Sequence, residues 1–85
     1  MASKRLLKKR MKRMVYEILN ECDYVIVSEG KNADAADKLI DEAVDFHNQM
    51  NEKITVANSK IEFRGIVEEI EKKSEDFVKK LNRLV

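Results

Sequence analysis

Residues 33–52, ADAADKLIDEAVDFHNQMNE, decide the fold of this chain. Their apolar side chains recur at steps of three and four, the period of an α-helix with one buried face. The residues of this inner face are Ala36, Leu39, Ile40, Ala43, Phe46, His47 and Met50. Acidic residues follow the opposite face, and we call them the acidic stripe: Asp34, Asp37, Asp41, Asp45 and Glu52. Asn32 is a suitable N-cap, so we predict a helix over 33–52.

A second amphipathic helix is predicted before this one, over residues 3–28. Its apolar stripe consists of Leu7, Met11, Met14, Ile18, Cys22 and Val25, widened by Leu6, Val15, Leu19 and Ile26. Gly30 suits the left-handed conformation that follows many helix C-termini, which places the end of the helix near Ser28. The β-branched stretch 24–27 leaves a short strand as the alternative, although a lone strand has no partner in this pattern.

A third helix is predicted over residues 59–84. Ser59 and Glu62 match the S-x-x-E capping box that opens helices. The β-branched residues 54–56 disfavour helix, so 53–58 is expected to be a connection. The apolar seam recurs about every 3.5 residues, as in coiled-coil packing: Phe63, Val67, Ile70, Ser74, Phe77, Leu81 and Leu84. Gly65 is expected to allow close contact with a neighbouring helix. Asp76 and Lys80 form one of several favourable i,i+4 pairs.

The fold class expected from these elements is all-α. Short connections make consecutive helices antiparallel, so one domain over 1–85 should form an up-down-up three-helix bundle with coiled-coil-like packing. The basic N-terminus over 1–5 is expected to fray. Because helix two is the shortest, one end of the bundle should be covered by two helices only. Apolar surface is then expected near Leu6, Leu7 and Leu84.

Composition excludes several classes of protein. The chain has 85 residues with no Pro, two Gly and one Cys, so it has neither an intrachain disulfide nor a Cys-rich zinc site. Its longest apolar run is far shorter than a signal-peptide core or a membrane span. We therefore expect a soluble cytoplasmic protein.

The net charge of +1 conceals three blocks. Residues 1–13 carry seven bases and no acid, residues 14–52 carry ten acids and two bases, and residues 53–85 carry eight bases and six acids. We call the first group the basic segment: Lys4, Arg5, Lys8, Lys9, Arg10, Lys12 and Arg13. Antiparallel geometry places this segment level with residues 49–58, beyond most of the acidic stripe. The two groups are therefore expected to meet between chains rather than within one.

No catalytic, metal-binding or cofactor-binding set emerges. In an antiparallel hairpin Cys22 and His47 are offset by about 10 Å along the helix axis, so both are expected to be packing residues. The acidic stripe lies opposite the apolar face and has no E-x-x-H partner for a di-metal site.

The sequence favours a small non-enzymatic helical module that associates with itself or with a protein partner, using the basic segment or the acidic stripe. The alternative is a nucleic-acid-associated accessory protein whose basic segment contacts the phosphate backbone. A membrane surface is less favoured because the segment lacks Trp and Phe anchors. No small-molecule substrate is indicated.

Overall fold

Three helices form an up-down-up bundle in the computed structural model, which describes residues 4–28 and 32–84. They are α1 (Lys4–Ser28), α2 (Ala33–Val56) and α3 (Lys60–Leu84), and each packs against the other two. The bundle is elongated, with extents of 45 × 17 × 15 Å. The predicted fold class is thus confirmed, and residues 24–27 are helical. The predicted cap at Gly30 and residues 1–3 lie outside the described residues, while Lys4 and Arg5 belong to α1.

The core residues lie largely on the predicted apolar stripes, but the buried face of α1 and of α3 is rotated slightly about the helix axis. In α1, Val15 is buried and Met14 is only partly buried. In α3, Ile66 is buried although it lies outside the predicted seam, whereas Phe63 and Val67 are partly buried. The core residues are Leu7, Met11, Val15, Ile18, Cys22, Val25, Ala36, Leu39, Ala43, Phe46, Met50, Ile54, Ala57, Ile66, Phe77 and Leu84.

Helix α2 continues four residues beyond its predicted end, to Val56. Burial of Ile54, which is 0% exposed, outweighs the weak helix propensity of residues 54–56. The Thr55 hydroxyl donates to the Asn51 carbonyl at 2.8 Å, and the Ala57 amide donates to the Lys53 carbonyl at 3.0 Å. The connection to α3 is therefore only residues 57–59.

This extension removes the expected two-helix end, because α2 is nearly as long as its neighbours. The expected apolar surface is also corrected. Leu7 and Leu84 are buried, while Leu6 is largely exposed. Leu84 lies at the opposite end of the bundle from Leu6. It is beside the start of α2, where the Asn32 side-chain amide donates to the Leu84 carbonyl at 2.8 Å.

The helix starts differ in detail from their predicted caps. Asn32 occupies the N-cap position of α2, but its side chain makes no cap bond there and instead satisfies a terminal carbonyl of α3. Ser59 does cap α3, accepting from the Glu62 amide at 3.2 Å. The Glu62 carboxylate reaches back to the Asn58 amide at 3.0 Å, one residue earlier than in the standard capping box.

Gly65 makes no close helix contact, contrary to expectation. A Cβ atom built on it meets no heavy atom within 4 Å. Gly65 therefore lowers the helix propensity of α3 without a packing benefit.

Replacing Gly65 by Ala is expected to raise the free energy of unfolding by about 0.5–1 kcal/mol, because alanine restricts the unfolded chain and fits this open site. The midpoint of thermal unfolding, followed by circular dichroism, should rise by roughly 4–8 °C per kcal/mol. A lower midpoint would show that the site is tighter than the structure indicates.

Candidate interaction surfaces

The basic segment lies along the first half of α1. Six of its residues are exposed, and Lys8 is partly buried. The Lys4 ammonium donates to the Thr55 carbonyl at 2.9 Å, and the Lys8 ammonium donates to the Thr55 hydroxyl at 2.7 Å. Both contacts confirm the prediction that this segment lies beside residues 49–58 along the bundle axis. Both acceptors are neutral, so the positive charges are not cancelled there.

Lys12 illustrates how the outer side of α1 is organised. Its ammonium lies 5.5 Å from the ring centroid of Tyr16, one turn later. Such exposed cation–π contacts are worth only about 0.5–1 kcal/mol. Tyr16 itself is more than half exposed, so this face combines positive charge with an accessible aromatic ring.

All five residues of the acidic stripe are exposed on α2. Among the described residues, no ion pair involves either the acidic stripe or the basic segment. Thr55, beside the basic segment, is about 10 residues from Asp45, or roughly 15 Å along α2, whereas Glu52 lies within one turn of it. Asp34, Asp37, Asp41 and Asp45 therefore lie toward the opposite end of the bundle from the basic segment, whereas Glu52 lies level with it.

A partly exposed charge cluster between α2 and α3 was missed by sequence reasoning. Glu42 lies 2.6 Å from the Lys73 ammonium and 2.7 Å from the Lys80 ammonium. Asp76 joins the cluster at 3.2 Å from Lys80, which confirms that predicted i,i+4 pair, and at 3.7 Å from Lys73. The position of Glu42, at the border between the apolar face and the acidic stripe, was the available signal.

The cluster shifts the pKa values of its members. Hydrogen bonds from Lys73 and then Lys80 lower the pKa of Glu42 below its ordinary value of 4.5. The hydrogen bond from Lys80 likewise lowers the pKa of Asp76, and the hydrogen bond to Glu42 raises the pKa of Lys80. The cluster thus holds its carboxylates ionised and stabilises the packing of α2 on α3.

Replacing Glu42 by Gln is expected to lower the free energy of unfolding at pH 7 by about 0.5–1.5 kcal/mol, an estimate reduced because the side chain is 34% exposed. Because folding lowers the pKa of Glu42, its contribution is complete above pH 4.5 and is lost as pH falls through the folded-state pKa. Urea unfolding should therefore separate the wild type from the variant at pH 7, and the difference should shrink as the pH is lowered below 4.5.

Asp45→Asn is the matched control for Glu42, since it removes an exposed carboxylate of the same helix that forms no ion pair with the described residues. It should change the free energy of unfolding by less than about 0.5 kcal/mol. Equal effects of the two substitutions would contradict a special role for the cluster.

Cys22 and His47 have the environments of packing residues. Cys22 is fully buried in the core, and burial, followed by the charges of Asp23 and Glu21, raises the pKa of its thiol. A raised thiol pKa disfavours the nucleophilic thiolate at neutral pH. His47 is partly buried at the border of the α2 inner face, as predicted.

Within residues 4–28 and 32–84, no group of three or more His, Cys, Asp or Glu side chains is placed to hold a metal ion. None of the three helices, over the residues described, has the length and apolar character needed to cross a bilayer. Comparisons with protein-family models, with curated proteins and with solved structures gave no match.

Proposed function

We propose that this protein is a small non-enzymatic interaction module that pairs with a second copy of itself through its two charged regions. The observation that carries the proposal is the charge separation along the bundle. The basic segment and the acidic stripe are exposed and form no ion pair within the described chain, and all of the stripe except Glu52 lies toward the opposite end of the bundle. The fully buried Cys22, with its raised thiol pKa, supports a non-catalytic role.

An antiparallel pair satisfies both regions at once. The basic segment of each copy then faces the acidic stripe of the other, and the two-fold arrangement closes at two chains. Tyr16 of α1 and Val44 of α2 lie near the same level in the middle of the bundle, and both are exposed. They supply apolar area at the centre of this pairing, while charge attraction orients the encounter.

Sedimentation velocity over a dilution series tests the pairing. At about 50 mM salt we expect a concentration-dependent dimer, which weakens at about 500 mM salt because ions screen exposed charges. The double variant Lys9→Glu/Lys12→Glu should be monomeric, whereas Lys72→Glu/Lys79→Glu, an equal charge change on exposed α3 positions, should still dimerise. A monomer at both salt concentrations would rule out self-association.

Mixing two non-pairing variants provides the sharpest version of this test. Lys9→Glu/Lys12→Glu makes the basic segment more acidic, and Asp37→Lys/Asp41→Lys makes the acidic stripe more basic. Each variant alone places its two substituted positions opposite side chains of the same charge in the other copy. Their mixture restores opposite charges in both contacts, so a 1:1 heterodimer should form at low salt.

The second candidate function is nucleic-acid binding, which is favoured by the exposure of the basic segment and by its lack of ion pairs with the described residues. Deletion of residues 1–13 is a poor test because it also removes Leu7 and Met11 from the core. Binding of labelled DNA and RNA by the wild type and by Lys9→Glu/Lys12→Glu, each at two salt concentrations, is preferable. Steep loss with salt and with the substitution supports this function, and no binding at low salt removes it.

A further inference from the structure

A groove on the side of the bundle between α1 and α3 borders the basic segment, of which only Lys4 and Arg10 line it. It consists of two adjoining cavities that share Val67, one of about 710 Å³ near the start of α3 and one of about 470 Å³ farther along. From Lys60 to Glu75 the groove extends over about 22 Å of helix. An elongated groove of this length accommodates about four turns of another helix.

The floor of the groove is apolar and incompletely covered. Met14, Phe63, Val67 and Ile70 pack against the core but are only partly buried. Partial burial leaves apolar area in contact with water, and burying it stabilises a complex by about 25 cal/mol per Å² before the costs of association. The floor therefore provides a continuous apolar strip for a partner.

The charged side chains at the end of the groove near the start of α3 are all basic. Lys4, Lys60 and Arg64 line the larger cavity, and no acidic side chain lines it. Farther along, Glu71 and Glu75 line the smaller cavity together with Arg10. The end of the groove near the start of α3 thus favours a negatively charged group.

We propose that this groove binds an amphipathic helix of a protein partner, whose acidic C-terminal end lies beside Lys60 and Arg64. Such a helix runs antiparallel to α1 and α3, covers the apolar strip and completes a four-helix arrangement. A second copy of this chain is a poor occupant because its own helices already direct their main apolar stripes into its core. The inference does not depend on the proposed self-association.

Two synthetic peptides of about 16 residues serve as probes. The first carries Leu on one helical face and three Glu at its C-terminal end, and the second has the same composition and Leu face with the Glu residues at its N-terminal end. Fluorescence anisotropy is measured at low salt, at a chain concentration at which sedimentation shows the chain to be monomeric. We expect the first peptide to bind on the order of tenfold more tightly than the second.

Variants of the protein identify the site. Arg64→Glu and Lys60→Glu should each weaken binding of the first peptide on the order of tenfold, while Lys79→Glu, which changes an exposed base of α3 that does not line the groove, should leave it nearly unchanged. Unchanged circular dichroism and thermal midpoint verify that the variants fold. Equal binding of the two peptides, no binding, or insensitivity to both groove substitutions would overturn the inference. If the chain dimerises at low salt but does not bind the peptide, this site alone is refuted. If the chain stays monomeric over the whole sedimentation series and binds the peptide, only the self-association is refuted.

Discussion

Replacing Phe77 by alanine is expected to lower the free energy of unfolding by about 3–5 kcal/mol, the largest stability effect that we predict. Phe77 is 0% exposed at the centre of the core. Its ring meets Phe46 edge to face, with centroids 5.9 Å apart and planes at 79°. The substitution removes this contact and leaves a cavity between α2 and α3. A domain of this size has only about 4–13 kcal/mol of stability, so a large share is lost.

Urea unfolding followed by circular dichroism measures the effect of Phe77→Ala. Val78→Ala is the control, because the neighbouring side chain is 48% exposed and its truncation should cost less than about 1 kcal/mol. A loss below about 1 kcal/mol for Phe77→Ala would show that the α2–α3 contact is not closely packed around this ring.

Replacing Ile54 by alanine is expected to cost about 2–4 kcal/mol and to loosen the last turn of α2. Burial of Ile54 holds residues 54–56 in a helix that their β-branched side chains disfavour. Once this turn loosens, Thr55 no longer stays beside Lys4 and Lys8. The effect therefore extends from the core to the position of the basic segment.

Two measurements test the role of Ile54. Urea unfolding gives the loss of stability, and hydrogen exchange of the Ala57 amide, which donates to the Lys53 carbonyl, reports the last turn of α2. Val56→Ala is the control in the same turn, where the side chain is 70% exposed and alanine has the higher helix propensity. If Ile54→Ala left the exchange of Ala57 unchanged, burial would not be what extends the helix.

Much of the fold is predictable because its signals are local. The helical period of the apolar and acidic residues of α2 predicts both its buried face and its exposed acidic stripe. Ser59 and Glu62 predict the start of α3 to within one residue. The exact rotation of each helix about its axis is harder to predict from the sequence. The broad apolar stripe of α1 contains both Met14 and Val15, and only packing against two neighbours decides that Val15 is buried. Ile66 was missed for the same reason.

The sequence by itself determined three helices, their order, and the level of the basic segment beside the end of α2, because periodicity, capping and short connections act over neighbouring residues. Tertiary structure alone decided where α2 ends, how Glu42 joins Lys73 and Lys80, and why Asn32 bonds to Leu84 instead of capping its own helix. It also opened the groove between α1 and α3. These features depend on contacts between residues far apart in the chain, whose geometry follows from how the helices rotate to fill one core.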